Sequence, residues 1–189
     1  MAGMQLVRPA PEHLASYRAA LERSWSPSTT DPGLSRVELE RIDADPAAFL
    51  AAKDDLHATG QPITLPDGSV VARLPGYQRW IWEDDFVGVI NMRWQPSTAT
   101  LPPHVLGHIG YSVTPWNRRR GYATAALREL LPQLPALGLP YVEITTDVDN
   151  IASQKVITVN GGVLVERFTK PAAYGTNNSA LRWRIRLGP

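Results

Sequence analysis

The chain contains no cysteine, which excludes disulfide bonds, thiolate-bound metal sites and a cysteine nucleophile, and leaves the redox compartment undetermined. It also lacks long apolar runs, since no stretch approaches the roughly 18 apolar residues of a membrane span. The first residues lack the basic and apolar regions of a secretory signal. We therefore expect a soluble cytoplasmic protein with no membrane partner, and no metal site is predicted.

The chain also lacks an excess of charge of one sign, because 19 Lys and Arg residues balance 18 Asp and Glu residues. Such a chain has no overall field that attracts nucleic acid, so no nucleic-acid partner is expected and any anion site must be local. Hydrophobic residues make up 43% of the 189 residues, which is enough to bury the core of one domain. We expect a single domain over residues 1–189.

The spacing of hydrophobic residues predicts the order of helices and strands. Two helices over residues 11–24 and 35–57 come first, and the second is expected to break near Asp45, because a following proline disfavours helical geometry. An antiparallel stretch followed by alternating strands and helices implies an α/β fold with a mixed sheet and helices on both faces. The strands are predicted over residues 77–82, 86–94, 105–113, 141–146, 162–168 and 180–187, with helices after residue 120 and over 151–159.

The segment N-R-R-R-G-Y-A, residues 117–123, has the features of a local anion site. It follows the strand that ends at Val113 and leads into a helix, whose N-terminus offers unpaired N–H groups and about half a positive charge. Gly121 has no side chain, so a phosphate can approach the backbone closely. The run from Arg118 to Arg120 adds charged donors. These features predict a pyrophosphate cradle, and a solvated arginine loop is the alternative.

The same segment resembles motif A of the GNAT superfamily of acetyl-CoA-dependent N-acetyltransferases. In that motif Gln or Arg is followed by two residues, Gly, one residue, and Gly or Ala, and here Arg118, Gly121 and Ala123 occupy these positions. The segment D-N-I-A-S-Q-K-V-I-T-V-N-G-G, residues 149–162, resembles motif B. The segments W-I-W-E-D-D-F-V-G-V-I-N-M-R and G-H-I-G-Y-S-V resemble a bacterial branch of predicted acetyltransferases. The resemblance covers about residues 77–187.

The resemblance implies both the detailed fold and the binding of acetyl-CoA as a co-substrate. The sheet would be mixed and mostly antiparallel, and its middle strands would splay apart to admit the pantetheine arm. Asn150, at the mouth of the opening, would bind near the pantetheine, and it would also suit the N-cap of its helix. The main chain of Tyr111, Ser112 and Val113 would pair with the arm, and the pyrophosphate would bind at Arg118, Arg119, Arg120, Gly121, Tyr122 and Ala123.

Direct acetyl transfer, without a covalent enzyme intermediate, requires a neutral amine. A lysine-like amine with a pKa of about 10.4 is neutral at pH 7 at a cost of about 4.6 kcal/mol, so a base or a water chain is expected. His108 is the candidate base, because it lies on the strand beside the co-substrate, and a structural histidine is the alternative. Glu143 and Asp147 on the neighbouring strand are rivals, and a backbone N–H near Val113 is expected to bind the oxyanion.

Protonation of the departing sulfur follows a different route from that of many family members. These place a tyrosine seven residues after the motif B Asn, and the corresponding residue here is Ile157, which cannot donate a proton. Ser153, one turn into the same helix, is the candidate acid and a further co-substrate contact. The alternatives are a helix-capping serine and unassisted departure, because a thiol with a pKa of about 8.5 is a tolerable leaving group.

The acceptor is predicted only as a primary amine of a small molecule, a peptide or a protein. Residues 60–104 and 170–179 are expected to shape its site, with Arg93 and Glu143 as candidate contacts, although an arginine among strand residues also suits a structural ion pair. Two other classes stay open: a non-catalytic acyl-CoA sensor, and a module that binds nucleic acid through the arginines at 118–120. The oligomeric state is open between a monomer and a homodimer.

Overall fold

The computed structural model describes residues 3–29, 31–65, 68–171, 174 and 179–188. The helices are α1 (Pro11–Glu22), α2 (Leu34–Ala44), α3 (Pro46–Ala51), α4 (Tyr122–Leu130) and α5 (Ile151–Val159). The strands are β1 (Gln5–Val7), β2 (Asp54–Asp55), β3 (Ile63–Thr64), β4 (Val70–Val71), β5 (Gly76–Glu83), β6 (Asp85–Arg93), β7 (Ile109–Val113), β8 (Tyr141–Asp147), β9 (Val163–Thr169) and β10 (Ser179–Arg186). Short 3₁₀ segments cover Pro115–Asn117 and Leu131–Leu137. Across these ranges, no helix has the length and apolar character needed to cross a bilayer.

The strands form two larger antiparallel sheets with an opening between them. The first sheet has the order β1-β5-β6-β7, with β2 also paired to β5, and the second has the order β8-β10-β9. Strands β7 and β8 share no ladder, and the main-chain contact between them lies just before β7, where the His108 N–H donates to the Glu143 carbonyl at 2.7 Å. This separation of β7 from β8 is the splay of the middle strands that the resemblance implied.

Helices cover both faces of the first sheet, because successive strand residues point to opposite sides. Trp80 and Val89 are fully buried in a cluster with residues of α1, α2 and α3. Their chain neighbours Ile81 and Ile90 are fully buried in a second cluster with residues of α4 and α5. The α/β fold class predicted from the sequence is confirmed by this arrangement.

The long N-terminal helix predicted over residues 35–57 is divided where proline interrupts it. Helix α2 ends at Ala44, and the Asp45 side chain caps α3 by accepting a hydrogen bond from the Ala48 N–H at 2.9 Å. The last part of the predicted helix is instead the short strand β2, in which Asp54 pairs with Tyr77 of β5. Pairing with a distant strand overrides the helical spacing there.

Strand β7 is shorter than the predicted strand over residues 105–113. The strand residues of β7 that pair with β6 begin at Ile109. Just before them, the His108 ring Nδ1 accepts a hydrogen bond from the Glu143 N–H at 3.0 Å, so a side chain takes the place of a main-chain partner for β8. The strands β1, β3 and β4 were not predicted, because two or three residues are too few to show an alternating pattern.

Candidate active site

Strand β7 presents an unpaired main-chain edge to the opening between the two sheets. Its ladder with β6 ends where the Thr114 N–H donates to the Val87 carbonyl at 3.0 Å. Because antiparallel pairing alternates, the N–H and C=O groups of Tyr111 and the N–H of Val113 point away from β6. The Val113 carbonyl accepts a hydrogen bond from Arg118 Nε at 3.2 Å. The remaining groups can pair with an extended, amide-containing chain.

The turn before α4 holds a row of free main-chain donors. Arg119 (φ 65) and Gly121 (φ 84) both adopt left-handed geometry, which orients the chain into the helix. The N–H groups of Tyr122, Ala123 and Thr124 make no hydrogen bond within the described residues, as expected for the first turn of a helix. A Cβ placed on Gly121 would meet nothing within 4 Å, so the space beside this glycine is open. The residues fit an anionic group such as a pyrophosphate.

The three arginines of this turn have different partners. Arg118 is held against the Val113 carbonyl, and Arg120 donates to Asn117 Oδ1 at 3.0 Å and lies 3.6 Å from Glu83 Oε2. Arg119 is exposed and has no side-chain partner among the residues that the structure describes. Its guanidinium is therefore the one most free to reach an incoming anion.

Two residues that were predicted to contact the co-substrate have side chains that already make hydrogen bonds within the protein. The Tyr122 hydroxyl donates to Glu83 Oε2. The Ser112 hydroxyl accepts from Trp25 Nε1 and donates to the Ser26 carbonyl, both at 3.1 Å, which fastens the segment after α1 to β7. Tyr122 keeps a free main-chain N–H for a ligand, whereas Ser112 lies opposite Val89 in the β6–β7 ladder and its main-chain groups point toward β6.

His108 lies where β7 and β8 meet, and its side chain is fully buried. Burial lowers its pKa to about 4, with a smaller opposing effect from Glu143, so the ring is neutral at pH 7. The Nδ1 lone pair already accepts the Glu143 N–H. The ring is a weak base, and its acceptor nitrogen already has a donor. The structure therefore favours a role for His108 in joining β7 to β8, and the general-base role stays a prediction.

The two rival carboxylates are both ion-paired. Glu143 is buried, and its Oε1 lies 2.6 Å from Arg184 Nη2 while its Oε2 lies 3.4 Å from Arg182 Nη1. Asp147 Oδ1 lies 2.6 Å from Lys170 Nζ. Each carboxylate is therefore already paired with a cation of the fold.

A side-chain contact that the sequence did not predict joins β7 to α5. The Tyr111 hydroxyl lies 2.6 Å from the Ser153 hydroxyl, and burial raises the pKa of Tyr111 to about 12. The cap of α5 is Asn150, whose Oδ1 accepts the Ser153 N–H at 3.1 Å. Ile157 is fully buried in the core. The sequence predicted only a main-chain role for Tyr111, since no local signal shows which helix its ring meets.

A cavity of about 380 Å³ lies against β5 and β6 and includes Arg93 in its wall. A Cβ placed on Gly110 of β7 would stand 3.9 Å from Arg93 Nη2, so this guanidinium also borders the β7 strand. Residues between 60 and 104 contribute to the lining, as does Tyr174; residues 172–173 and 175–178 of the predicted 170–179 loop lie outside the described residues. Glu143, the other predicted acceptor contact, is not part of this cavity.

Within the part of the chain that the structure describes, no group of His, Asp and Glu side chains could hold a metal ion.

Comparison with known proteins identifies a family. The family model for the acetyltransferase (GNAT) domain matches residues 5–163. No curated protein matches the chain. Among solved structures, the microcin C7 self-immunity acetyltransferase MccE in complex with acetyl-CoA and AMP has a TM-score of 0.65 and 14% identity, over 98% of this chain and 93% of that chain.

Two further solved structures share the fold. RimL, a ribosomal L7/L12 α-N-protein acetyltransferase in complex with coenzyme A, has a TM-score of 0.65 and 14% identity, over 99% of this chain and 96% of that chain. Spermidine N-acetyltransferase from Vibrio cholerae, in complex with coenzyme A and spermine, has a TM-score of 0.59 and 10% identity, over 97% of this chain and 95% of that chain.

Proposed function

We propose that this chain, which belongs to the GNAT acetyltransferase family, moves an acetyl group from acetyl-CoA directly to a primary amine. Membership of this family makes the chain an acetyl-CoA-dependent acyltransferase. The proposal goes further by naming the class of acceptor and the residues that take part in the transfer. The similar structures act on a ribosomal protein in one case and on spermidine in another, so a small molecule, a peptide and a protein all stay candidate acceptors. The observation that carries the proposal is the free β7 edge beside the free donors at the start of α4.

The start of α4 would hold the pyrophosphate. The main-chain N–H groups of Tyr122, Ala123 and Thr124 have no partner among the described residues, and they lie at the positive end of the α4 dipole. Arg119 adds a charged donor from the turn. Anion binding by these groups needs no rearrangement, because none of them has a partner to give up.

The β7 edge and α5 would hold the pantetheine arm. The N–H and C=O of Tyr111 and the N–H of Val113 offer the pattern of an edge strand. Asn150 uses its Oδ1 to cap α5, which leaves its side-chain NH₂ group free to donate to an amide carbonyl of the arm. The Val113 N–H would also serve the acetyl oxygen if the arm leaves it unpaired.

The reaction needs little chemistry from the protein beyond alignment and charge stabilisation. Acetyl-CoA supplies an activated thioester; the acetyl carbon bonds to the amine nitrogen, its bond to sulfur breaks, one amine proton leaves, and one proton ends on sulfur. The Tyr111 hydroxyl, whose pKa of about 12 lies above the thiol value of about 8.5, is suited to donate a hydrogen bond to sulfur and retain its proton. Ser153 holds this hydroxyl and can donate in its place.

The amine proton would leave through water. His108 is a weak and occupied base, and the carboxylates of Glu143 and Asp147 are ion-paired. A reaction without an enzyme base should accelerate with pH until the acceptor amine is neutral, so the apparent pKa of the rate should follow the amine and not the protein.

Turnover with a panel of primary amines tests the proposal. Purified protein is mixed with acetyl-CoA and each amine, thiol release is followed, and the acetylated amine is identified by mass. The proposal expects amine-dependent thiol release that is lost in Gly121→Asp. A protein that binds acetyl-CoA tightly in calorimetry but releases no thiol with any amine would be a sensor, and salt-dependent DNA binding lost on neutralising the arginines at 118–120 would favour the nucleic-acid module.

A further inference from the structure

The cavity against β5 and β6 contains an unbalanced positive charge. Two of its cations are neutralised by carboxylates: Lys53 Nζ lies 2.7 Å from Glu38 Oε1, and Arg73 Nε lies 3.9 Å from Asp55 Oδ2. Arg93 makes no ion pair and no side-chain hydrogen bond with any residue that the structure describes. The cavity therefore presents one guanidinium that the fold does not satisfy.

An unpaired guanidinium in this position has an energetic cost. Burial lowers the pKa of Arg93, with an opposing effect from the nearby Tyr174 phenol, yet an arginine side chain stays protonated in proteins. Five N–H donors are partly withdrawn from water without a replacement acceptor. An anion that enters the cavity restores those hydrogen bonds, and a guanidinium matches a carboxylate through two parallel bonds.

Arg93 also lies next to the strand that borders the transfer site. Gly110 of β7 pairs with Asn91, and its missing Cβ would stand 3.9 Å from Arg93 Nη2. Tyr111, the next residue, sends its side chain to the opposite face, where it meets Ser153. The guanidinium thus approaches β7 from one face, and the Tyr111–Ser153 pair approaches it from the other.

We propose that the acceptor is a primary amine that also carries a carboxylate, and that Arg93 binds this carboxylate in the cavity. The inference rests on the proposed acetyl transfer and names its acceptor class. The cavity volume of about 380 Å³ falls among those of small-molecule sites, about 300–1,000 Å³, and suits one amino acid or the first residue of a peptide. The tyrosine rings of Tyr77 and Tyr174 line the same space and provide apolar contact beside the charge.

Matched pairs of acceptors measure the contribution of the carboxylate. Phenylalanine is compared with phenylalaninamide as a free amino acid, and the dipeptide amides Asp-Ala-NH₂ and Asn-Ala-NH₂ are compared as peptide N-termini. We expect kcat/KM of the wild type, expressed per concentration of neutral amine because the two members differ in amine pKa, to be about 10- to 100-fold higher for the carboxylate member of at least one pair, as for a lost hydrogen bond to a charged group. The pair that shows the preference distinguishes a free amino acid from a peptide.

Substitutions at Arg93 test whether this residue causes the preference for the carboxylate member of a pair. Arg93→Gln should abolish the preference by lowering kcat/KM much more for the carboxylate member than for the amide member, and Arg93→Lys should restore part of the preference. Arg73→Gln removes a cation of the same cavity that already has a partner, so the preference for the carboxylate should persist in it. Equal activity of wild type on both members of each pair, or an equal loss on both in Arg93→Gln, overturns the inference.

A binding measurement separates this inference from the proposed function. Isothermal titration of phenylalanine and of Asp-Ala-NH₂ into the protein with coenzyme A should show binding that Arg93→Gln weakens by about 10- to 100-fold. If no amine is acetylated, the proposed transfer fails, and this titration alone decides whether the carboxylate site exists. Wild-type binding that is unchanged in a folded Arg93→Gln protein rejects it. The melting temperature of Arg93→Gln without ligand should not fall, because Arg93 has no partner to lose.

Discussion

The hydroxyl of Tyr111 on β7 lies 2.6 Å from the hydroxyl of Ser153 on α5, across the opening between the two sheets. Ile157, at the position where many family members carry a tyrosine, is fully buried and has no donor, whereas these two hydroxyls can donate. The phenol is a poor proton source at a pKa of about 12, but it is a good hydrogen-bond donor to a negative sulfur. In the proposed reaction, the pair would supply by a hydrogen bond to sulfur what an acid would supply by proton transfer.

Removing either hydroxyl should therefore slow turnover more than it weakens co-substrate binding. We expect Tyr111→Phe and Ser153→Ala each to lower kcat by about 10- to 100-fold with little change in the Kd for acetyl-CoA, because the lost bond strengthens as charge develops on sulfur. The double variant should lose little more than the worse single variant, since the two hydroxyls act as a unit. Thr158→Ala, an exposed hydroxyl on the same helix, is the control. Full kcat in both single variants, with chemistry rate-limiting, would leave unassisted departure of the thiolate.

Gly121 should be required for the co-substrate and Gly138 should not. Both have positive φ, 84 and 71, and in both a Cβ meets nothing within 4 Å, so Asp at either position carries a similar conformational strain of about 1–2 kcal/mol. Only Gly121→Asp puts a carboxylate in front of the free N–H groups of α4. Calorimetry should show at least about a 10-fold weaker Kd for coenzyme A in Gly121→Asp and an unchanged Kd in Gly138→Asp. Equal affinities in the two variants would move the pyrophosphate site elsewhere.

Asn150 offers a way to separate helix capping from co-substrate binding. Asn150→Asp keeps an oxygen acceptor for the Ser153 N–H but loses the NH₂ donor, whereas Asn150→Ala loses both. Urea denaturation should show the Asp variant close to wild type and the Ala variant less stable by about 0.5–2 kcal/mol. Both variants should bind coenzyme A more weakly if the amide contacts the pantetheine. Wild-type affinity in Asn150→Asp would mean that the residue only caps α5.

His108 should control stability in acid more than it controls catalysis. Its pKa is about 4 in the folded chain and 6.5 when unperturbed, so the unfolded chain binds more protons between these values. Stability should fall as the pH is lowered from 6.5 to about 4, by up to about 3 kcal/mol, and this contribution should level off below pH 4.

Variants at His108 test both roles together. His108→Asn retains an acceptor for the Glu143 N–H and has no ionisation, so it should fold with a weaker pH dependence of stability between pH 4 and 6.5. His108→Leu should be less stable by about 1–3 kcal/mol, because the buried N–H loses its partner. The pH-rate profile of His108→Gln should match that of wild type. A loss of about 10²-fold or more in rate, concentrated at low pH, would instead restore His108 as the base.

Much of the fold could be predicted because its signals are local. The break at Asp45, the helix over Ile151–Val159 and the long strands follow from periodicity and from proline chemistry within a few residues. The short strands β1 to β4 could not be predicted, because their pairing with distant segments, and not their own pattern, makes them strands.

The sequence by itself determined the residues of the proposed cradle, whereas the tertiary structure decided the environment of each candidate side chain. The proposed cradle consists of consecutive residues around Gly121, and a glycine before the start of a helix is a local feature of the sequence. By contrast, Tyr111 meets Ser153 from 42 positions away, and Glu143 is paired with Arg184 from 41 positions away. Arg93 lacks a charged partner among the described residues for the same reason: which charges approach one another is decided when the strands pack, and long-range packing leaves no periodic trace in the sequence.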